Sequence, residues 1–474
     1  MPTRSQDLRG DTSEERHGHL WKVIGAATVG NVLEWYDFAL FGYFAVEISN
    51  SFFPKSNDED RNMLYTFAIF GASFLVRPFG GLLFGYIGDK ALGRKKALQI
   101  AIIMTALPTF LLGCLPGYNS IGVAAPVLLL VLRLVQGLAA GGQLIGSFIA
   151  VYENSEDSKS NFYGSICFGT VSLGVLCASV VSGIVHAFTT PADLEDYGWR
   201  VPFLLGSLIS LLGCGLQRLV EIDVLGITES SVVKSQSDSF EVDAGRFNPI
   251  MIVFKWHKTS MILIGLVSAI WPVAEYICFI WLPTFKAKQF PDGNEEAPYL
   301  VTPLSLSIQV VTMPLFGLLS DQIGAGRMIK SSSILIMALS PFLFGWLFSC
   351  DKYVCMVPQS MFAVLTAAFG SALPVTLCRA FPTKIRYSGL AFSYNAAQVL
   401  FGATAPVIAT ELAETTRYFL PGVYISLISV VSLIAAVMFS YKSEEIAGID
   451  SEHEHLGRPN GFLEQEPSME LTAI

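Results

Sequence analysis

The stretch Gly85–Lys96, GYIGDKALGRKK, has an echo at Gly317–Lys330, GLLSDQIGAGRMIK. In both, a glycine precedes an aspartate by four residues (Gly85 and Asp89, Gly317 and Asp321), and a further glycine and a basic cluster follow. The two aspartates lie about half the chain apart, the first after the second and the other after the eighth of about twelve apolar runs, each close to twenty residues. A helix rising about 1.5 Å per residue needs that length to cross roughly 30 Å of hydrocarbon. The spacing therefore predicts a six-helix unit used twice, with a binding site near mid-membrane between the halves.

Composition agrees with lipid as the solvent. The chain has 474 residues, 52% hydrophobic and only 15% charged, too apolar for a soluble protein of this size. Backbone groups in lipid must be satisfied internally, and the alternation expected of a transmembrane barrel is absent, so the expected fold class is an all-α membrane protein with twelve helices in two six-helix repeats. The expected divisions are a tail over 1–20, bundles over 21–221 and 258–440, a polar connector over 222–257 and an acidic tail over 441–474. Basic loops (KALGRKK, GRMIK, RAFPTKIR) fall on one side, which the positive-inside rule makes cytoplasmic, with both termini there. The first twenty residues do not resemble a signal peptide. The net charge of -9 comes largely from outer loops and the tail after Tyr441, so no nucleic-acid partner is implied. Cys350 and Cys355 flank an outer loop, where a disulfide and two thiols are both open readings.

Charges inside apolar runs carry the functional reading, because one at a helix centre costs about 2.5–3.5 kcal/mol on insertion scales. The first run contains GNVLEWYDFALFGYFA, residues 30–45, with Glu34 and Asp37 three apart on one face. Such a pair suits proton loading, and bracing of neighbouring helices is the structural alternative. Arg133 opens RLVQGLAAGGQ in the fourth run and needs an anion, either a first-helix acid or a substrate carboxylate. The glycines at 137, 141, 142 and 146 form overlapping GxxxG steps suited to close helix packing. Arg77 in the second run fits lipid anchoring or helix pairing as well as substrate contact. Glu275 and Tyr276, between Pro272 and Pro283, and the stripe Tyr394, Asn395 and Gln398 are cavity candidates, with interhelical hydrogen bonding the plainer alternative for the stripe. Trp35, Tyr36, Phe38 and Tyr276 offer aromatic faces to an onium group. No nucleophile–base pair, metal-ligand spacing or phosphate loop is present, so neither an enzyme nor a cofactor or metal is expected.

The segments GNVLEWYDFALFGYFA, RPFGGLLFGYIGDKALGRKKAL, RLVQGLAAGGQLIG, GWRVPFLLGS and FPTKIRYSGLAFSYN resemble, in order and spacing over about residues 20–440, the metabolite:proton symporter branch of the major facilitator superfamily. That branch includes the proline/betaine, 2-oxoglutarate, citrate and shikimate transporters. The resemblance implies alternating access, a small-molecule substrate carried with protons, coupling at Glu34 and Asp37, and a multi-pass protein of the plasma membrane. It also implies a cytoplasmic gate at Gly85, Asp89, Gly93, Arg94, Asp321 and Arg327. The chain departs twice. Three residues, not two, separate Asp89 from Gly93, and Gln143, a substrate-binding candidate, stands where relatives usually carry glutamate, and an amide cannot carry a proton. An uncoupled facilitator or exchanger, or a nutrient sensor, is the alternative. A proline- or betaine-like zwitterion suits one permanent cation, an acid pair and aromatics slightly better than a di- or tricarboxylate.

Overall fold

The computed structural model describes residues 13–54, 59–86, 94–209, 249–289, 296–349, 354–382, 385–414 and 418–455. Among these residues all regular structure is helical. Twelve helices follow the twelve apolar runs: α1 (Ser13–Tyr43), α2 (Arg61–Phe84), α3 (Arg94–Cys114), α4 (Ala124–Asn154), α5 (Ser160–Phe188), α6 (Arg200–Ile209), α7 (Lys258–Lys286), α8 (Glu296–Ile323), α9 (Ala325–Ser349), α10 (Met356–Cys378), α11 (Arg386–Ala413) and α12 (Leu420–His455). Nine helices among the described residues are long and apolar enough to span a bilayer. Helices α3 and α6 contribute shorter apolar segments, and α1 carries its acids within the run. Of the connector, the described part includes the helix Pro249–Trp256, and α12 runs on past Tyr441 into the acidic tail.

Proline chemistry explains where the central helices bend. Pro272 cannot donate to the carbonyl four residues back, and α7 breaks at Ala269 before resuming at Ile270. Further on, residues Tyr276–Trp281 form a π-helical turn ahead of Pro283. The carbonyl that Pro283 releases, that of Phe279, accepts the Tyr43 hydroxyl of α1 at 2.6 Å, so the bend becomes a tie between the first and last six spans. Helix α11 repeats the device, with a π-turn over Gln398–Gly402 ahead of Pro406.

The two sets of six spans meet along α5 and α8 and along α2 and α11. At the end carrying the basic loops, Asp321 closes the N-terminus of α5: it accepts from the backbone N–H of Asn161 (2.9 Å) and of Phe162 (3.0 Å) and from the Asn161 amide (2.9 Å). Those N–H groups are the unsatisfied donors of a helix start, and a carboxylate there also suits the helix dipole. Gly317, one turn earlier, is what lets α8 approach, since a Cβ there would overlap the Ser165 hydroxyl. The glycine–aspartate spacing in the sequence is thus a close approach followed by a cap. Arg386 of α11 pairs with Glu153 of α4 beside it. Arg327, expected in the gate, is exposed on α9 and donates to the carbonyl of Ile323, the last residue of α8. In the first motif Gly85 falls in the last turn of the segment Arg77–Tyr86, whereas Asp89, Gly93 and the side chain of Arg94 lie outside the described residues. At the opposite end Thr284 donates to Gly42 O at 3.1 Å. The centre is therefore closed from both sides.

Asp321→Ala is expected to loosen the basic end. Loss of a helix cap of about 0.5–2 kcal/mol changes the open population roughly two- to thirtyfold. Distance distributions between spin labels at the exposed positions Asn154 and Arg327 would broaden to longer values; an unchanged distribution would mean that the cap stabilises α5 alone.

Candidate functional site

Close packing of α2 on α4 builds the first wall. A Cβ at Gly137 would overlap the Ser73 carbonyl, and one at Gly141 would overlap the Arg77 carbonyl. The glycines thus bring the Arg77 backbone against α4, one helix away from α1. Gly137→Val is expected to force these helices apart at a cost of about 3 kcal/mol or more. A melting temperature in detergent close to that of the parent chain would contradict this packing.

Glu34 and Asp37 are both buried, each beside an arginine. Arg77 Nη1 lies 4.0 Å from Glu34 Oε1, a loose pair, and neither Glu34 oxygen has a hydrogen-bond partner. The Arg77 guanidinium instead covers aromatic faces, 4.4 Å from the Phe74 centroid, 5.1 Å from Phe38 and 5.4 Å from Trp35. Arg133, 1% exposed, lies 4.3 Å over Phe41 and 5.4 Å from Phe38. It donates to Gln136 Oε1 at 3.1 Å, and Gln136 Nε2 donates to Asp37 Oδ2 at 2.7 Å and to Thr109 Oγ1 at 2.9 Å. Arg133 and Asp37 are thus joined through an amide rather than as a direct salt bridge. Nε and Nη2 of Arg133 and Nε of Arg77 are left without acceptors.

The last six spans supply the facing wall. Glu275, completely buried, accepts from Gln309 Nε2 at 2.9 Å, and the same amide donates to Thr366 Oγ1 at 2.9 Å. Tyr276 stacks on Trp35 across the interface (6.2 Å, 29°) and donates to Gln398 Oε1 at 3.0 Å. Tyr276 and Tyr394 both lie in the fields of Arg77, Glu34 and Glu275. Trp271 closes the site against Phe168 of α5 (4.4 Å).

The structure brings together Glu34, Trp35, Asp37, Arg133, Glu275, Tyr276, Tyr394 and Gln398. Tyr36 is elsewhere: its hydroxyl donates to Pro202 O and its ring packs on Gly206, inside the first six spans. Asn395 ties α11 to α4 by donating to Gly141 O at 2.7 Å, a structural task. Gln143 is partly exposed two turns along α4 from Gln136, outside the hydrogen-bonded network of the site. Trp35 and Phe38 do offer cation–π faces, but the chain's own arginines cover them. Arg77 is more central than its place in the sequence implies, and Gln136, Thr109, Gln309 and Thr366 join the site with no charge to mark them. The signal available was a lone amide inside an apolar run, and for Gln136 a place one turn from Arg133. Cys355 is buried with its thiol 3.2 Å from Lys286 Nζ, and Cys350 lies outside the described residues.

An occluded centre with opposed charges between two six-helix sets fits passage of a small polar solute. Comparisons with known proteins agree with that architecture. Residues 38–406 match the family described as Major Facilitator Superfamily. The proline/betaine transporter of Escherichia coli (strain K12) is 32% identical over 429 residues, 89% of this chain and 83% of that protein. The glycine betaine/proline/ectoine/pipecolic acid transporter OusA of Dickeya dadantii (strain 3937) is 32% identical over 422 residues, 89% of this chain and 83% of that protein. Among solved structures, the proton:xylose symporter XylE bound to 6-bromo-6-deoxy-D-glucose superposes with a TM-score of 0.68 at 18% identity, covering 90% of this chain and 96% of that one. The partially occluded inward-open xylose transporter from E. coli gives 0.66 at 17%, covering 90% and 98%. The match over most of the chain and the two six-helix sets closing on one charged centre make this protein a member of the major facilitator superfamily.

Proposed function

We propose that the chain is a proton-coupled symporter of a small zwitterion with a carboxylate, of the proline/betaine kind named for its relatives. It works by alternating access in the plasma membrane, with the basic loops and both termini cytoplasmic. The division into bundles over 21–221 and 258–440 supplies the two rocking bodies. The observation that carries this reading is Glu34, whose two oxygens lack hydrogen-bond partners while it faces Arg77 across 4.0 Å. A carboxylate out of water needs a cation or a proton. When Glu34 takes a proton, Arg77 loses its anion and a substrate carboxylate replaces it. Proton and substrate then load together, since each makes the other's binding favourable. Asp37 is the second coupling group, held to Arg133 through Gln136. Closure at the basic end by Asp321 and by Glu153 with Arg386 alternates with closure at the other end through Tyr43.

Proteoliposomes with a trapped pH dye, challenged with proline, glycine betaine, citrate, 2-oxoglutarate and shikimate, test this. Acidification with proline or glycine betaine is expected. Entry of labelled substrate without proton movement would make the chain a facilitator, and acidification with a tricarboxylate alone would overturn the zwitterion assignment.

A further inference from the structure

Glu275 differs from the other acids of the site. Glu34 faces Arg77 and Asp37 is linked to Arg133, but no described cation lies within ion-pair distance of Glu275. Its Oε2 accepts from Gln309, and its Oε1 is buried with no partner. Gln309 is in the complementary position. Both of its N–H groups are spent, on Glu275 and on Thr366, so its carbonyl Oε1 cannot exchange places with the amide nitrogen without facing a carboxylate oxygen. That Oε1 is also buried and without a partner. Thr366 cannot help, because its hydroxyl proton goes to Phe362 O at 2.8 Å. Two adjacent side chains, each completely buried, thus end in acceptor oxygens with nothing to accept, and leaving such groups unmade is costly. On the facing wall Arg77 and Arg133 hold the reverse, donors with nothing to donate to.

On the zwitterion reading above, we propose that Glu275 and Gln309 form the subsite for the substrate's charged nitrogen, and that it selects nitrogens bearing N–H bonds. A secondary ammonium has one positive charge and two N–H groups, one for each unpaired oxygen. A quaternary ammonium has the charge but no donor, and an ether-containing carboxylate has neither. The carboxylate of the same molecule goes to the arginine wall, with Tyr276, next to Glu275 and stacked on the Trp35 that Arg77 covers, between the two ends.

The test is binding of L-proline, glycine betaine and tetrahydrofuran-2-carboxylate to the full chain in nanodiscs, followed by tryptophan fluorescence, for wild type, Glu275→Gln and Gln309→Met. Glutamine at 275 still offers an oxygen to Gln309, and methionine at 309 keeps length without an acceptor; a thermal melt of each variant checks folding. Wild type is expected to bind proline about ten- to a hundredfold more tightly than either analogue; Gln309→Met is expected to erase most of that preference while changing glycine betaine less than about threefold, and Glu275→Gln, which removes charge as well as an acceptor, to weaken proline about tenfold more than glycine betaine. Equal loss for proline and glycine betaine would overturn the N–H selectivity. A sodium requirement in wild type that Glu275→Gln removes would make the subsite one for a metal cation and overturn it too. Selectivity unchanged by either substitution in a folded protein would leave zwitterion transport standing and remove Glu275 from it. If wild type binds none of the three, the zwitterion reading itself fails.

Discussion

Glu34→Gln is expected to abolish proton-driven accumulation and to leave exchange of internal for external substrate intact. One pH unit supplies about 1.4 kcal/mol and 100 mV about 2.3 kcal/mol per charge, together enough to concentrate a zwitterion moved with one proton about 500-fold. A glutamine cannot load or release a proton, and it presents Arg77 with a neutral neighbour at all times. Arg77 would then be available to a substrate carboxylate whether or not a proton had come with it. Binding persists in this variant, both gates still move, and the accumulation ratio falls to about one because nothing ties the solute to the proton gradient. The measurement is the steady-state ratio of labelled substrate in energised proteoliposomes, beside a counterflow assay on the same preparation. Accumulation that survives in Glu34→Gln would confine Glu34 to bracing Arg77 and pass the coupling to Asp37. Asp37→Asn is the informative companion, because Asp37 already accepts from Gln136, so its replacement disturbs a hydrogen bond as well as a charge.

Much of the architecture was legible because lipid leaves few options. Run length gave the helices, and the repeated glycine–aspartate spacing gave the two six-helix sets. The structure supplies the physical content of that spacing at Gly317 and Asp321, a close approach and a cap. The site was legible where a charge interrupts an apolar run, as at Glu34, Asp37, Arg133 and Glu275. It was less legible where an uncharged amide does the joining. Gln136 and Gln309 carry no charge to flag them, yet each holds a carboxylate of the site in place by one N–H and a threonine by the other. Direction was the other hidden quantity. Tyr36 and Trp35 are neighbours in sequence, but helical periodicity turns Trp35 to the interface and Tyr36 to Pro202, and composition alone cannot tell those faces apart when both are buried. Direction also decides the contact at Arg327, whose side chain reaches back from α9 to the last carbonyl of α8.

Arg133→Met is expected to eliminate transport and to destabilise the fold, and a second substitution separates the two effects. Arg133 is buried on Phe41 with a single hydrogen-bond acceptor, the Gln136 amide that also holds Asp37. Taking away the guanidinium leaves Asp37 as a buried carboxylate with an amide but no cation, and breaking a buried pair on one side costs about 3 kcal/mol or more. Adding Asp37→Asn removes the stranded charge. The double variant should therefore recover most of the lost melting temperature, because a buried pair is itself a poor source of stability once its desolvation is counted. Transport should not return, since the unspent Nε and Nη2 donors that can meet a substrate carboxylate are gone in both proteins. Arg133→Lys distinguishes charge from shape: an ammonium keeps the cation but loses the planar fork that can hold Gln136 and a carboxylate together, so folding near that of the parent with uptake reduced about a hundredfold is expected. Full uptake in the lysine variant would mean that only the positive charge matters. Recovery of both stability and uptake in the double variant would place Arg133 among the braces of the fold, with Arg77 left as the sole anion-binding group of that wall.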